Sequence, residues 1–257
     1  MDLGLRGKRA LVTGASKGIG GATARLMAQE GCDVVLVARS AADLERLRGE
    51  IVDESGVNVA IAPCDLSQRG AAEDLAAQFG NIDILVNNAG AVPPGSLLSV
   101  DEDRWRAGWD LKVFGYINMS RAYYAIMKAR GGGVIVNVLG IISRTYDPNY
   151  ICVGTGNEAL AFFTRSLGSR SHEDNIRVLG VNPGSVATER WLATRPEVVM
   201  AKERPASANP PRKLPFDRPG TPLELASTIA FLASPRSGYT SGTIIEVDGG
   251  FSAALGP

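Results

Sequence analysis

Thr13-Gly14-Ala15-Ser16-Lys17-Gly18-Ile19-Gly20 is a glycine-rich turn set between the apolar run Arg9–Gly14 and a helix-length segment, Gly18–Gln29, that stops at Gly31. Glycines at such a turn let the backbone bend tightly and approach a pyrophosphate, whose charge is stabilised at the helix N-terminus. The spacing is G-x-x-x-G-x-G, and a glycine triplet alone says little. A strand before it and a helix after it turn the triplet into a dinucleotide cradle. Gly14, Ser16, Lys17, Gly18, Ile19 and Gly20 are therefore candidate cofactor contacts.

Working outward, further apolar runs lie at Asp33–Arg39, Asn58–Cys64, Asp83–Ala89, Val134–Leu139, Ile176–Asn182 and Thr243–Val247. They are continuously apolar rather than alternating, as strands covered on both faces are. Helix-length segments such as Ala41–Asp53 separate them. That alternation predicts an α/β fold, a doubly wound parallel sheet with right-handed crossovers. Ser99-Val100-Asp101-Glu102 has capping-box spacing and predicts a long helix to about Ala129, closed by Gly131-Gly132-Gly133. The stretch Glu189–Arg218 holds five prolines and many charges, which marks a lid or binding loop. With no repeat or linker, residues 1–257 read as one domain.

The second run ends in Ala38-Arg39-Ser40, 19 residues from Gly20 to Arg39. An NAD-binding chain would be expected to place a carboxylate there for the ribose hydroxyls. Arg39 instead offers a guanidinium to a 2′-phosphate, with Lys17 able to approach the same group, so NADP(H) is the expected cofactor.

Composition bounds the remaining classes. The chain has 27 basic and 27 acidic side chains, which argues against a nucleic-acid or anionic-membrane surface as the main partner. Cys32, Cys64 and Cys152 have no metal-ligand spacing and read as small core residues; no His/Cys/Asp/Glu cluster suggests a metal. The start, with Asp2 and no long apolar region, does not read as a secretory leader, and no apolar run approaches the roughly 20 residues of a membrane span. A soluble cytoplasmic protein is expected.

Thr13–Gly20, Cys64-Asp65-Leu66, Asn87-Asn88-Ala89-Gly90, Asn182-Pro183-Gly184 and Asp248-Gly249-Gly250 together resemble, in order, the motifs of short-chain dehydrogenases/reductases. The resemblance covers almost the whole chain and implies a Rossmann fold with seven parallel strands in the order 3-2-1-4-5-6-7. It implies that Asp65 and Leu66 flank the adenine and that Asn88, Ala89 and Gly90 lie along the adenosine ribose. Pro183, Gly184, Val186 and Thr188 would meet the nicotinamide end, while Asn87 would tie neighbouring strands. It also implies a small carbonyl or alcohol substrate and, through the closing strand, a homodimer or homotetramer.

The family's hydride transfer uses an Asn-Ser-Tyr-Lys tetrad, and this sequence departs from it at every position. Aligning the flanks puts Lys112 at the asparagine, Gly140 at the serine, Val153 at the tyrosine and Asn157 at the lysine. Lys112 and Asn157 look like an exchange of the family's Asn and Lys. Lys112 has apolar neighbours in Trp109, Val113 and Tyr116, where an unpartnered charge is costly. Ser143 and Tyr150 lie three residues from the usual serine and tyrosine, so a rebuilt site is expected in which Tyr150 gives a proton and Lys112 depresses its pKa. Tyr146 is a weaker donor on position, and His172 reads as a surface residue. The alternative reading is an NADP(H)-binding sensor or scaffold protein that has lost hydride transfer.

Overall fold

The computed structural model describes residues 2–194 and 214–255, without the side chains of Ser143, Thr145, Thr194 and Leu255. Residues 195–213 of the expected loop, including Val198, Val199 and Met200, lie outside the described residues.

Seven strands form one parallel sheet in the order β3-β2-β1-β4-β5-β6-β7. They are β1 (Arg9–Thr13), β2 (Asp33–Ala38), β3 (Val59–Pro63), β4 (Ile84–Asn87), β5 (Gly133–Val138), β6 (Ile176–Pro183) and β7 (Ile244–Val247). Each lies within about a residue of the run expected from its apolar pattern, except that β4 ends at Asn87, two residues short of Ala89. The central positions Leu11, Val35, Leu36, Leu85, Ile135 and Leu179 are fully buried, because helices cover both faces. Each such side chain contributes on the order of 2 kcal/mol of burial.

Helices α1 (Gly18–Gln29) and α2 (Ala41–Ser55), with the late Pro222–Ala233 helix, cover one face around Met27, Leu44, Ile51 and Ile229. The opposite face packs on α3 (Ala71–Gln78) and the helix ending at Arg130, through Leu75, Met119, Tyr123 and Met127. No described helix is long and apolar enough to cross a membrane.

The expected helix from Ser99 to about Ala129 is corrected in two respects. Its N-cap is Asp101, whose side chain accepts the Arg104 backbone N–H at 2.8 Å. Ser99 instead bonds to Ser96, and Glu102 is spent on Arg106 one turn later. The helix is also not continuous: α4 (Glu102–Trp109) passes through a π-helical segment, Asp110–Phe114, before α5 (Gly115–Arg130). Such π-helical segments recur at functional sites, and this one carries Lys112.

Two further pieces position the site. Helix α6 (Ile142–Thr145) and the long α7 (Ile151–Gly168) connect β5 to β6, and α8 (Glu189–Thr194) follows β6. The Pro222–Ala233 helix, α9, is opened by a full capping box at Thr221 and Glu224. Its C-terminal end is held by Arg177, which donates to the carbonyls of Leu232 (2.7 Å), Ala233 (3.2 Å) and Ser234 (3.0 Å). Arg177→Met removes a charge-assisted cap from orphan carbonyls and is expected to cost about 2–3 kcal/mol in urea unfolding. A cost below about 0.5 kcal/mol would show the cap to be idle.

Candidate active site

The parallel sheet brings the C-terminal ends of all strands to one edge, where doubly wound folds bind ligands. At this edge β1 ends in Gly14 (φ +63°), and Gly18 (φ +58°) also adopts the left-handed backbone that only glycine takes without strain. A Cβ on Gly14 would stand 2.9 Å from Ala89 Cα, and one on Gly20 would collide with the Gly14 carbonyl oxygen. No side chain caps the N-terminus of α1, so its first-turn N–H groups remain for a ligand. The donor set and the space kept open by glycines suit a pyrophosphate.

Thr13 and Asn88 lock this turn to β4. The Thr13 hydroxyl accepts the backbone N–H groups of Asn88 (2.8 Å) and Ala89 (3.0 Å), and Asn88 Nδ2 donates to the Thr13 and Gly14 carbonyls. Asn87 Nδ2 donates to Asn137 Oδ1 (2.9 Å) and Ser120 Oγ (3.1 Å), linking β4 to β5 and α5.

Past the turn, Arg39 is exposed at the end of β2. Asp65 accepts hydrogen bonds from the Ser67 hydroxyl and backbone, which holds its carboxyl below the usual range, with the charge of Arg39 adding to the effect. The Thr188 methyl lies over Gly18, while the Thr188 hydroxyl accepts the Trp191 N–H. Pro183 and Gly184 are pinned between Ile141 and Val247, with Val186 buried beside them.

At the reacting end the structure brings Lys112, Gly90, Gly140 and Asn157 together. The aliphatic stem of Lys112 lies against Gly90, where a Cβ would stand 2.9 Å from Lys112 Cδ. The Lys112 ammonium donates to the Leu139 carbonyl at 2.9 Å and lies 5.9 Å from the Tyr116 ring centroid. Burial pushes its pKa down to about 8, and the positive charge of Arg190 adds to the shift. Tyr116 is itself buried and donates to the Val138 carbonyl at 2.8 Å.

Asn157 is 2% exposed, and its Oδ1 is buried without a hydrogen-bond partner. Its amide fills the space of a side chain at position 140: a Cβ on Gly140 would stand 2.9 Å from Asn157 Nδ2. The orphan oxygen is an acceptor awaiting a donor, as a ribose hydroxyl is, at the position where the resemblance puts the ribose-holding lysine. The residues present thus fit a dinucleotide at both ends of the site.

Tyr150 is partly buried at the N-cap of α7, where Gly95 forms a bridge with it. No hydrogen bond joins its hydroxyl to Lys112, whose ammonium is turned to Leu139. Ser143 lies in α6, but its side chain is outside the described residues. Tyr146 is 84% exposed, and His172 is exposed in the Ser171–Asp174 turn. Among the described residues no cluster of potential metal ligands occurs. Arg190, which sequence reasoning did not single out, donates to the Gly90 carbonyl at 2.8 Å. Its position in a proline- and charge-rich stretch carries no periodicity that marks it.

The family described as Enoyl-(Acyl carrier protein) reductase matches residues 14–252. The chain belongs to the short-chain dehydrogenase/reductase family of oxidoreductases. It is 34% identical to the short-chain reductase protein NovJ of Streptomyces niveus, over 94% of this chain and 92% of that one. The L-sorbose reductase of Gluconobacter frateurii, solved with NADPH and L-sorbose, superposes with a TM-score of 0.87 at 32% identity, over 97% of this chain and 98% of that one. A 7α-hydroxysteroid dehydrogenase, solved with NADH, superposes with a TM-score of 0.86 at 29% identity, over 97% of this chain and 96% of that one.

Two substitutions test this geometry. Gly20→Ala is expected to weaken NADPH binding at least about tenfold in a fluorescence titration, since its methyl has no place beside Gly14. Gly140→Ser, which puts a serine where the resemblance expects one, is expected to lower activity, because Asn157 already occupies the space. Higher turnover in Gly140→Ser would show that Asn157 yields and that the pair is not co-adapted.

Proposed function

We propose that the chain is an NADP(H)-dependent oxidoreductase that reduces a carbonyl or oxidises a secondary alcohol. The observation that carries this reading is Lys112, a cation that among the described residues bonds to a carbonyl and meets no carboxylate at the reacting end of a dinucleotide cradle. Arg39, in the place of a ribose-binding carboxylate, supports NADP(H) over NAD(H). Gly14, Ser16, Lys17, Gly18, Ile19 and Gly20 would hold the pyrophosphate side. Asp65, Leu66, Asn88, Ala89 and Gly90 would serve the adenosine side, and Pro183, Gly184, Val186 and Thr188 the nicotinamide side.

When bound, the dinucleotide supplies the hydride. Lys112 stabilises negative charge on the carbonyl oxygen and gives it a proton; Asn157 orients a hydroxyl through its orphan Oδ1. Tyr150, one helical turn before Val153, is the second candidate for the proton, and Ser143 the second for polarising the carbonyl. An assembly of two or four copies accords with the exposed Ile245 on the closing strand.

Lys112 is protonated below about pH 8 and neutral above it. A reduction that consumes its proton is therefore expected to fall as pH rises through about 8, and the reverse oxidation to rise. NADPH consumption across a panel of aldehydes and ketones provides the test. Lys112→Met is expected to lose at least about tenfold in kcat while NADPH binding is kept. A comparable loss in Tyr150→Phe assigns the proton to Tyr150, whereas a rate within about twofold assigns it to Lys112. Val153 and Gly140 favour one rival, a sensor or scaffold protein. Tight NADPH binding with no consumption on any carbonyl, and a protein partner gained or lost with NADPH, would establish it.

A further inference from the structure

Lys112 and Arg190 converge on the same glycine from two separate elements. The Lys112 stem packs on Gly90, and Arg190 Nη1 donates to the Gly90 carbonyl at 2.8 Å. Among the described residues neither cation meets a carboxylate: Lys112 bonds to the Leu139 carbonyl and Arg190 to that of Gly90. Glu189, the neighbour of Arg190, turns its carboxylate toward Gly18 on the phosphate side. Two like charges set together are unfavourable unless an anion joins them. Arg190 uses one N–H group on Gly90 and keeps the rest of its planar fork, which matches a carboxylate in two-point geometry.

We infer that Lys112 and Arg190 together select a substrate that carries a carboxylate next to its reacting carbonyl, an oxo acid or the corresponding hydroxy acid. Lys112 lies inward, bonded to the carbonyl of Leu139, and takes the carbonyl oxygen. Arg190 is exposed at the rim and takes the carboxylate. The assignment rests on the proposed oxidoreductase reading only in making the ligand a carbonyl compound. The pyrophosphate of the cofactor is the other anion that Arg190 could serve, and the test separates the two.

The protein is loaded with NADPH and titrated with pyruvate or with its methyl ester, followed by the fluorescence of bound NADPH. The acid is expected to bind at least about tenfold more tightly than the ester. Arg190→Met is expected to reduce that preference to within about twofold and to leave NADPH affinity unchanged, with Arg190→Lys between the two. Arg190 is exposed on a short helix, so these variants keep the core intact. Equal titration by acid and ester, or no titration by either, overturns the inference. So does a tenfold loss of NADPH affinity in Arg190→Met, which would give the arginine to the pyrophosphate. The titration needs no turnover: a carboxylate preference with no NADPH consumption on any carbonyl of the panel would sink the oxidoreductase reading and leave the paired-cation carboxylate site standing.

Discussion

The hydroxyl of Thr13 ties the site together. By accepting the N–H groups of Asn88 and Ala89 it fixes where β4 leaves the sheet relative to the glycine turn after β1. Asn88 completes the clasp from the other side, through the carbonyls of Thr13 and Gly14. Gly90 follows two residues later, so its place is set by the same bonds. Lys112 and Arg190 both use Gly90 as their floor. One buried threonine therefore couples the phosphate-binding end to the reacting end, and neither can shift without breaking these part-buried bonds.

The same frame bears on the lysine and asparagine that the resemblance puts in exchanged places. A lysine on α7 would reach up from the first turns of that helix; here the charge comes instead from the π-helical segment before α5. The amide of Asn157 then fills the room that opens when position 140 has no side chain. Trp109 closes the neighbouring gap by approaching Gly156 and donating to the Cys152 carbonyl at 3.3 Å. Positions 140 and 157 are thus steric partners, and a side chain placed at 140 alone meets Asn157.

The fold was legible because its signal is local and redundant. Runs such as Val34–Ala38 are apolar at every position, and Gly31 and Gly56 punctuate the helices that flank them. The N-terminus of α4 was misread because two short polar side chains, Ser99 and Asp101, both suit a cap. The choice fell to Asp101 since Ser99 is held by Ser96 and the intervening Val100 is buried. The π-helical segment left no mark in the sequence, because its apolar residues read equally well as ordinary helix. The partners of Lys112 were beyond sequence reasoning for a different reason. Leu139 and Gly90 contribute a carbonyl and an open floor, and neither depends on a side chain that a pattern could reveal. Arg190 was hidden because the contact that places it spans 100 residues.

What remains distinctive is the electrostatics of the reacting end. A tyrosine–lysine pair divides proton transfer and charge stabilisation between two groups. Among the described residues the cation on Lys112 has no acidic hydroxyl bonded to it, and its proton is shared with the neutral Leu139 carbonyl. Burial and Arg190 act on it in the same direction, both disfavouring the charged form. An arriving negative charge reverses the second of these effects, so the ammonium is least stable in the empty site and most stable when an oxyanion or a carboxylate lies beside it. The interaction thus gains strength where negative charge develops and adds less to the resting protein.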